Sequence, residues 1–131
     1  AKLLNQAMKR HSKIDYIVGA AVAIEAALSI TTRQGRSDSM GFISFYYGPG
    51  VHRTIARGKV LAAVTDKQVL QTKIAVDMAV RALEKKLLNK HIAPKVEVVT
   101  QNNIRAFDRS TSLPPKGFRP VFSVNDWVSD E

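Results

Sequence analysis

The stretch Gly41-Phe42-Ile43-Ser44-Phe45-Tyr46-Tyr47-Gly48-Pro49-Gly50 limits what this chain can fold into more than any other. Phe42, Ile43 and Phe45 form an apolar run of strand length, and Gly48-Pro49-Gly50 stops it abruptly. A buried strand that ends this way leaves its sheet through a glycine-bounded turn, with Tyr46 and Tyr47 at the exit. In an open parallel sheet, ligands bind in the crevice beyond the carboxyl ends of the strands. Two phenol rings there would offer a surface to a small apolar or cationic molecule. They would equally serve as ordinary half-buried strand-end side chains, so the rest of the chain has to decide.

Short apolar runs alternate with helical patterns along the chain. Residues 1–11 read as a helix, with Leu3, Leu4, Ala7 and Met8 on one face and basic residues in its last turn. Ile14–Val18 reads as a strand, and Val22–Ile30 as an Ala-rich helix whose only charge is Glu25. After the central strand, Gly41–Phe45, a short helix spans Val51–Arg57 and Gly58 caps it. Lys59–Thr65 is apolar almost throughout, as expected of a strand covered on both faces. Gln68–Leu88 reads as the longest helix, with Leu70, Ile74, Met78 and Ala82 facing inward and Lys73, Asp77, Arg81 and Lys85 facing water. A last strand covers Lys95–Thr100. Beyond it the pattern ends, and Phe107, Leu113, Phe118, Phe122 and Trp127 are expected to anchor an extended, proline-rich tail. The predicted fold is α/β, a mostly parallel sheet with flanking helices.

Composition removes several function classes. The chain has 131 residues, enough for one domain, with 45% apolar residues and no cysteine, which excludes disulfides, thiolate metal sites and a Cys nucleophile. The net charge of +9 is spread along the chain without interleaved aromatics, so a solvated basic surface is expected rather than a nucleic-acid site. The G-x-S-x-G, H-E-x-x-H, P-loop and G-x-G-x-x-G patterns are missing. Gly48-Pro49-Gly50 has Pro where a phosphate cradle needs an N–H. His11, His52 and His91 are scattered, and Ser44 alternates within a strand without a neighbouring base. No enzyme activity, cofactor or metal is expected.

Several stretches resemble the type I periplasmic binding proteins (the ribose-binding and LacI-like superfamily). Leu3-Leu4-Asn5, then Ile14-Asp15-Tyr16-Ile17-Val18-Gly19 and an Ala-rich helix, are similar to the second lobe of that superfamily. Ala21–Ala27, Ser44-Phe45-Tyr46, Val51-His52-Arg53, Arg57-Gly58-Lys59-Val60 and Gly117-Phe118-Arg119-Pro120-Val121 resemble its TorT-type branch, which partners a sensor kinase in trimethylamine N-oxide (TMAO) respiration. The resemblance covers nearly the whole chain. It implies an incomplete, carboxyl-terminal portion of a two-lobed protein: residues 1–65 the later half of the second lobe, 66–97 a hinge crossing with a helix on the first lobe, and 98–131 a return strand and tail. Such a portion is not expected to cover its own sheet faces. It would be completed by the remainder of its own chain or by a swapped copy.

Two departures from the sugar-binding members bear on the ligand. Tyr46 follows Phe45 where those members place a gripping Asp, and Ala21 stands where they carry an Asn before the Ala-rich helix. Both remove polar groups suited to sugar hydroxyls. The resemblance therefore implies a periplasmic sensor that binds TMAO and signals to a TorS-type membrane sensor histidine kinase. Its expected ligand contacts are Tyr46, Tyr47, Asp66 and Ala21, with Tyr46 and Tyr47 forming part of an aromatic cage for the methylated nitrogen. Asp66 is equally well placed to cap the helix that follows. The alternatives are a transporter's solute-binding protein for a sugar or small amine, and the effector domain of a LacI-type repressor.

Overall fold

The computed structural model describes residues 2–11, 13–86 and 91–121. Four helices and four strands alternate: α1 (Lys2–Arg10), β1 (Tyr16–Gly19), α2 (Ala21–Arg33), β2 (Gly41–Ser44), α3 (Pro49–Ala56), β3 (Ala62–Thr65), α4 (Gln68–Leu83) and β4 (Glu97–Thr100). Single 3-10 turns cover Ser37–Ser39 and Arg109–Thr111. The four strands form one sheet in the order β1-β2-β3-β4. β1, β2 and β3 are parallel, whereas β4 runs antiparallel to β3, with Thr65 opposite Glu97 and Ala62 opposite Thr100. The sheet is thus parallel with one reversed edge strand.

Every strand is shorter than its apolar run. Phe45 lies beyond β2 and is 61% exposed, because Ser44 takes over the turn. Residues 59–61 precede β3 instead of belonging to it. Helix α3 begins two residues earlier than expected because Pro49 occupies its first turn, where a missing N–H costs nothing. Gly58, at φ +69°, closes it by donating its N–H to the Ile55 carbonyl.

Strand alternation separates two faces of unlike character. Phe42, Ser44, Ala63, Thr65 and Val99 point to the face covered by α2 and α3, and all are buried. Ile24, Val51, Ile55 and Val60 complete that core, each side chain contributing about 1.5–3 kcal/mol relative to exposure. The alternate positions turn to the opposite face, where Tyr16, Val18 and Val98 are exposed and Ile43 and Val64 are half-buried. As expected, the described elements do not cover both faces.

Helix α4 is a second departure. Leu70, Ile74 and Met78 are half-buried, Ala82 is exposed, and no residue of the helix is buried. Its main neighbour is the turn Arg109–Thr111. The predicted extension to Leu88 runs into residues 87–90, outside the described residues. In the tail, Phe107 and Leu113 are buried anchors as expected, but Phe118 is 59% exposed. Phe122 and Trp127 lie outside the described residues.

Candidate functional site

All three parallel strands point their carboxyl ends to one edge, and each delivers a sequence-predicted residue there. β1 leads through Gly19 to Ala21, β2 through Ser44 to Tyr46 and Tyr47, and β3 through Thr65 to Asp66. Ala21, the first residue of α2, is buried, and its side chain faces Gly48, where a Cβ would lie 4.0 Å from that of Ala21. The small residue at 21 therefore lets the aromatic turn settle against the start of α2.

Tyr46 is held by its backbone and leaves its ring partly free. Ser44 Oγ donates to the Tyr46 carbonyl at 2.6 Å and accepts from the Tyr46 N–H at 3.2 Å. The side chain of Tyr46 is 48% exposed at the end of β2. This small hydroxyl clamp fixes where the ring stands without covering it.

Tyr47 has a different place. It is fully buried, packed edge-on against Phe107 and His52 with ring centroids 5.4 and 5.9 Å away. Its hydroxyl shares a hydrogen bond with His52 Nδ1. Of the two phenol rings expected to face a ligand, only that of Tyr46 stands exposed: successive side chains diverge, and the Tyr47 ring is taken up by the core. Burial pushes the Tyr47 hydroxyl up to about 12, against the opposing pull of Arg109. Burial, followed by Arg109 and Arg53, pushes His52 below its ordinary value. Both members of the pair are thereby held neutral at neutral pH.

Asp66 is half-buried. It does not cap α4. The N-cap is Lys67, which turns through a left-handed conformation at φ 59° and makes no side-chain cap bond. Thr65 Oγ1 accepts the Lys67 N–H at 3.0 Å, and Lys67 Nζ pairs with Glu97 at 3.0 Å. The turn is tightened one residue later than an Asp66 cap would require.

Four polar residues of the site were not singled out from the sequence: His52, Thr65, Gln68 and Ser112. The Tyr47–His52 pair had one readable signal, since Pro49 at the helix start places His52 in the first turn of α3. Thr65 and Ser112, 2.8 Å apart across 47 positions, had none. Among the described residues, no three His, Cys, Asp or Glu side chains gather to hold a metal. No described helix is long and apolar enough to cross a membrane.

No protein-family model matches the chain. It is 35% identical over 122 residues to the periplasmic protein TorT of Escherichia coli K12, covering 92% of this chain and 34% of that protein. The chain thus spans about a third of the length of the curated relatives it matches. Among solved structures, it is 42% identical to an ABC transporter solute binding protein from Bradyrhizobium sp. BTAi1 with bound bis-tris. The TM-score is 0.81, over 93% of this chain and 37% of the other. It is 36% identical to complexes of the TorS sensor domain with TorT, with TM-scores of 0.82 without ligand and 0.84 with TMAO. These matches cover 93% of this chain and 41% of the other. The mixed α/β architecture described above is the fold of these proteins.

Proposed function

We propose that this chain, which belongs with the TorT-type branch of the type I periplasmic binding proteins, forms part of a periplasmic TMAO sensor. The sensor passes ligand occupancy to a membrane sensor histidine kinase. What supports a binding rather than a catalytic role is that the solved relatives are a solute binding protein and TorT in complex with the TorS sensor domain. The observation that carries the ligand reading is Tyr46: one aromatic ring, 48% exposed, fixed by its backbone at the carboxyl end of the middle parallel strand. A methylated, positively charged nitrogen is attracted to such a face by about 0.5–2 kcal/mol, more as water is excluded. Ala21 keeps the neighbouring strand end apolar, and Asp66 supplies a polar group at the third. Tyr47 supports the cage from behind and does not line it. Residues 66–97 form the hinge crossing, and two lobes closing on the ligand change the surface offered to the kinase.

The test is calorimetric titration of TMAO into the full-length protein, with ribose and glycine betaine as controls. Saturable TMAO binding is expected, and Tyr46→Ala should weaken it by roughly 2- to 30-fold, the affinity equivalent of one cation–π contact. Heat from ribose and none from TMAO would overturn the reading.

A second reading rests on the 42% identity to the bis-tris-bound transporter protein. Under it the same aromatic site takes a hydroxylated tertiary amine for transport. The discriminating result is tight binding of such an amine together with indifference to TMAO.

A further inference from the structure

The hydrogen bonds behind the aromatic turn converge on one side chain, that of Gln68, the first residue of α4. Its Nε2 donates to the Tyr47 carbonyl at 2.6 Å, and its Oε1 accepts from Thr65 Oγ1 at 3.1 Å. Thr65 Oγ1 also accepts the Lys67 N–H and bonds to Ser112 Oγ at 2.8 Å. The Thr65 hydroxyl has a single proton, which goes to Gln68, so the Ser112 hydroxyl donates to Thr65. Thr65 and Ser112 are both buried, and no buried side-chain polar atom among the described residues lacks a partner.

This arrangement fixes the amide of Gln68 in one orientation. Its NH2 must face Tyr47, because a carbonyl only accepts, and its oxygen then faces the Thr65 hydroxyl, which donates to it. Glutamate has the same shape but no donor for the carbonyl. The acceptor is itself immobile, since the Tyr47 ring is fully buried and bonded to His52. One residue earlier, both backbone polar groups of Tyr46 are held by Ser44. A continuous run of contacts therefore joins Ser44, the Tyr46–Tyr47 peptide, Gln68 and the first turn of α4.

We propose that Gln68 is a positioning residue that ties the Tyr46–Tyr47 turn to helix α4, so that a ligand held at Tyr46 and the seating of α4 are energetically coupled. The ligand half of this statement rests on the reading of Tyr46 given above; the coupling of turn to helix does not. Helix α4 is suited to respond, because none of its residues is buried and its first residue carries this amide contact. Breaking one such bond to a fixed carbonyl changes an equilibrium by roughly fivefold.

The experiment uses the full-length protein and reads amide hydrogen exchange over Gln71–Ile74, whose first amide bonds to the Lys67 carbonyl. Ser44→Ala loosens the turn without touching α4. It should speed this exchange roughly fivefold in the wild-type background and leave it unchanged in a Gln68→Glu background. An absent effect, or an equal effect in both backgrounds, overturns the coupling, whatever the ligand. In parallel, Gln68→Glu should weaken TMAO affinity roughly fivefold while Tyr46 is intact. Thr65→Val should do the same, and Thr65→Ser, which keeps the hydroxyl, should behave as wild type. Failure of Thr65→Ser to rescue would reduce Gln68 to a packing role. Should the wild-type protein not bind TMAO, the ligand reading fails alone and the exchange result still decides the coupling.

Discussion

Helices α2 and α4 are both rich in aliphatic residues, yet they meet opposite fates. α2 buries Ala21, Ile24, Ala27, Ile30 and Thr31 along one stripe, while α4 buries nothing. The difference lies in spacing. In α2 the buried residues recur every three or four positions, so one face meets the sheet. In α4 the aliphatic residues Val69, Leu70, Ile74, Val76, Val80 and Leu83 go around much of the circumference, and of its apolar residues Val69, Leu70, Ile74 and Met78 are half-buried and the rest exposed. The same contrast divides the sheet, whose α2/α3 face is closed while Tyr16, Val18 and Val98 stand exposed opposite. A helix with apolar residues on several sides is built to be covered on several sides. The closed half is a finished core. The open half leaves apolar surface exposed among the described residues.

The sharpest way to break this comparison is to truncate one residue from each half. Ile24→Ala, within the closed core, should cost about 2–5 kcal/mol in denaturant unfolding. Val80→Ala on α4 should cost no more than about 0.5 kcal/mol in the 131-residue chain alone. In the full-length protein the same change should cost more than about 1 kcal/mol, as loss of buried methyl groups does. A near-zero cost in both would mean that α4 faces water throughout, and the comparison would collapse.

Titration sharpens the comparison more gently, as slopes in stability and not as a single loss. An unfolded His titrates near ~6.5, and His52 lies lower in the folded state. Between those values the unfolded chain binds more protons, so stability should fall as pH drops from ~6.5 toward the folded value. An unfolded Tyr titrates near ~10 and Tyr47 at about 12, so the unfolded chain loses its proton first and stability should fall again as pH rises through that window. Thermal unfolding against pH should show the acid arm flattened by His52→Gln and the alkaline arm by Tyr47→Phe. The α4 half contributes the smallest effect. The exposed Asp77–Arg81 pair, one turn apart at 2.7 Å, should give a barely measurable loss of stability in Asp77→Ala, a loss that added salt erases.

Much of the closed half was legible in the sequence. Its signals are local: an Ala-rich stripe in α2, a Gly-Pro-Gly stop after β2, Gly58 after α3. The reversed direction of β4 was not legible, because direction is decided by where the chain returns and not by composition. Tyr46 and Tyr47 read as equivalent neighbours, and only the packing of Phe107, sixty positions away, separates an exposed ring from a buried one. Asp66 carried a sound capping signature, overruled by the left-handed turn at Lys67. The Thr65–Gln68–Ser112 cluster was invisible for the same reason as β4. Ordinary polar residues gain a role only when distant segments close on one another.

The reversal of β4 also has a topological consequence. Because Thr65 pairs with Glu97, the chain leaves the sheet and re-enters it at adjacent points, one strand spacing apart (about 4.8 Å). Everything from Asp66 to Val96, α4 included, is then an insertion hung on a hairpin, with both ends at a single doorway. To the sheet it is an oversized β-turn, a long excursion between two paired neighbours. The edge that gathers the predicted ligand contacts is also the edge at which this module is attached.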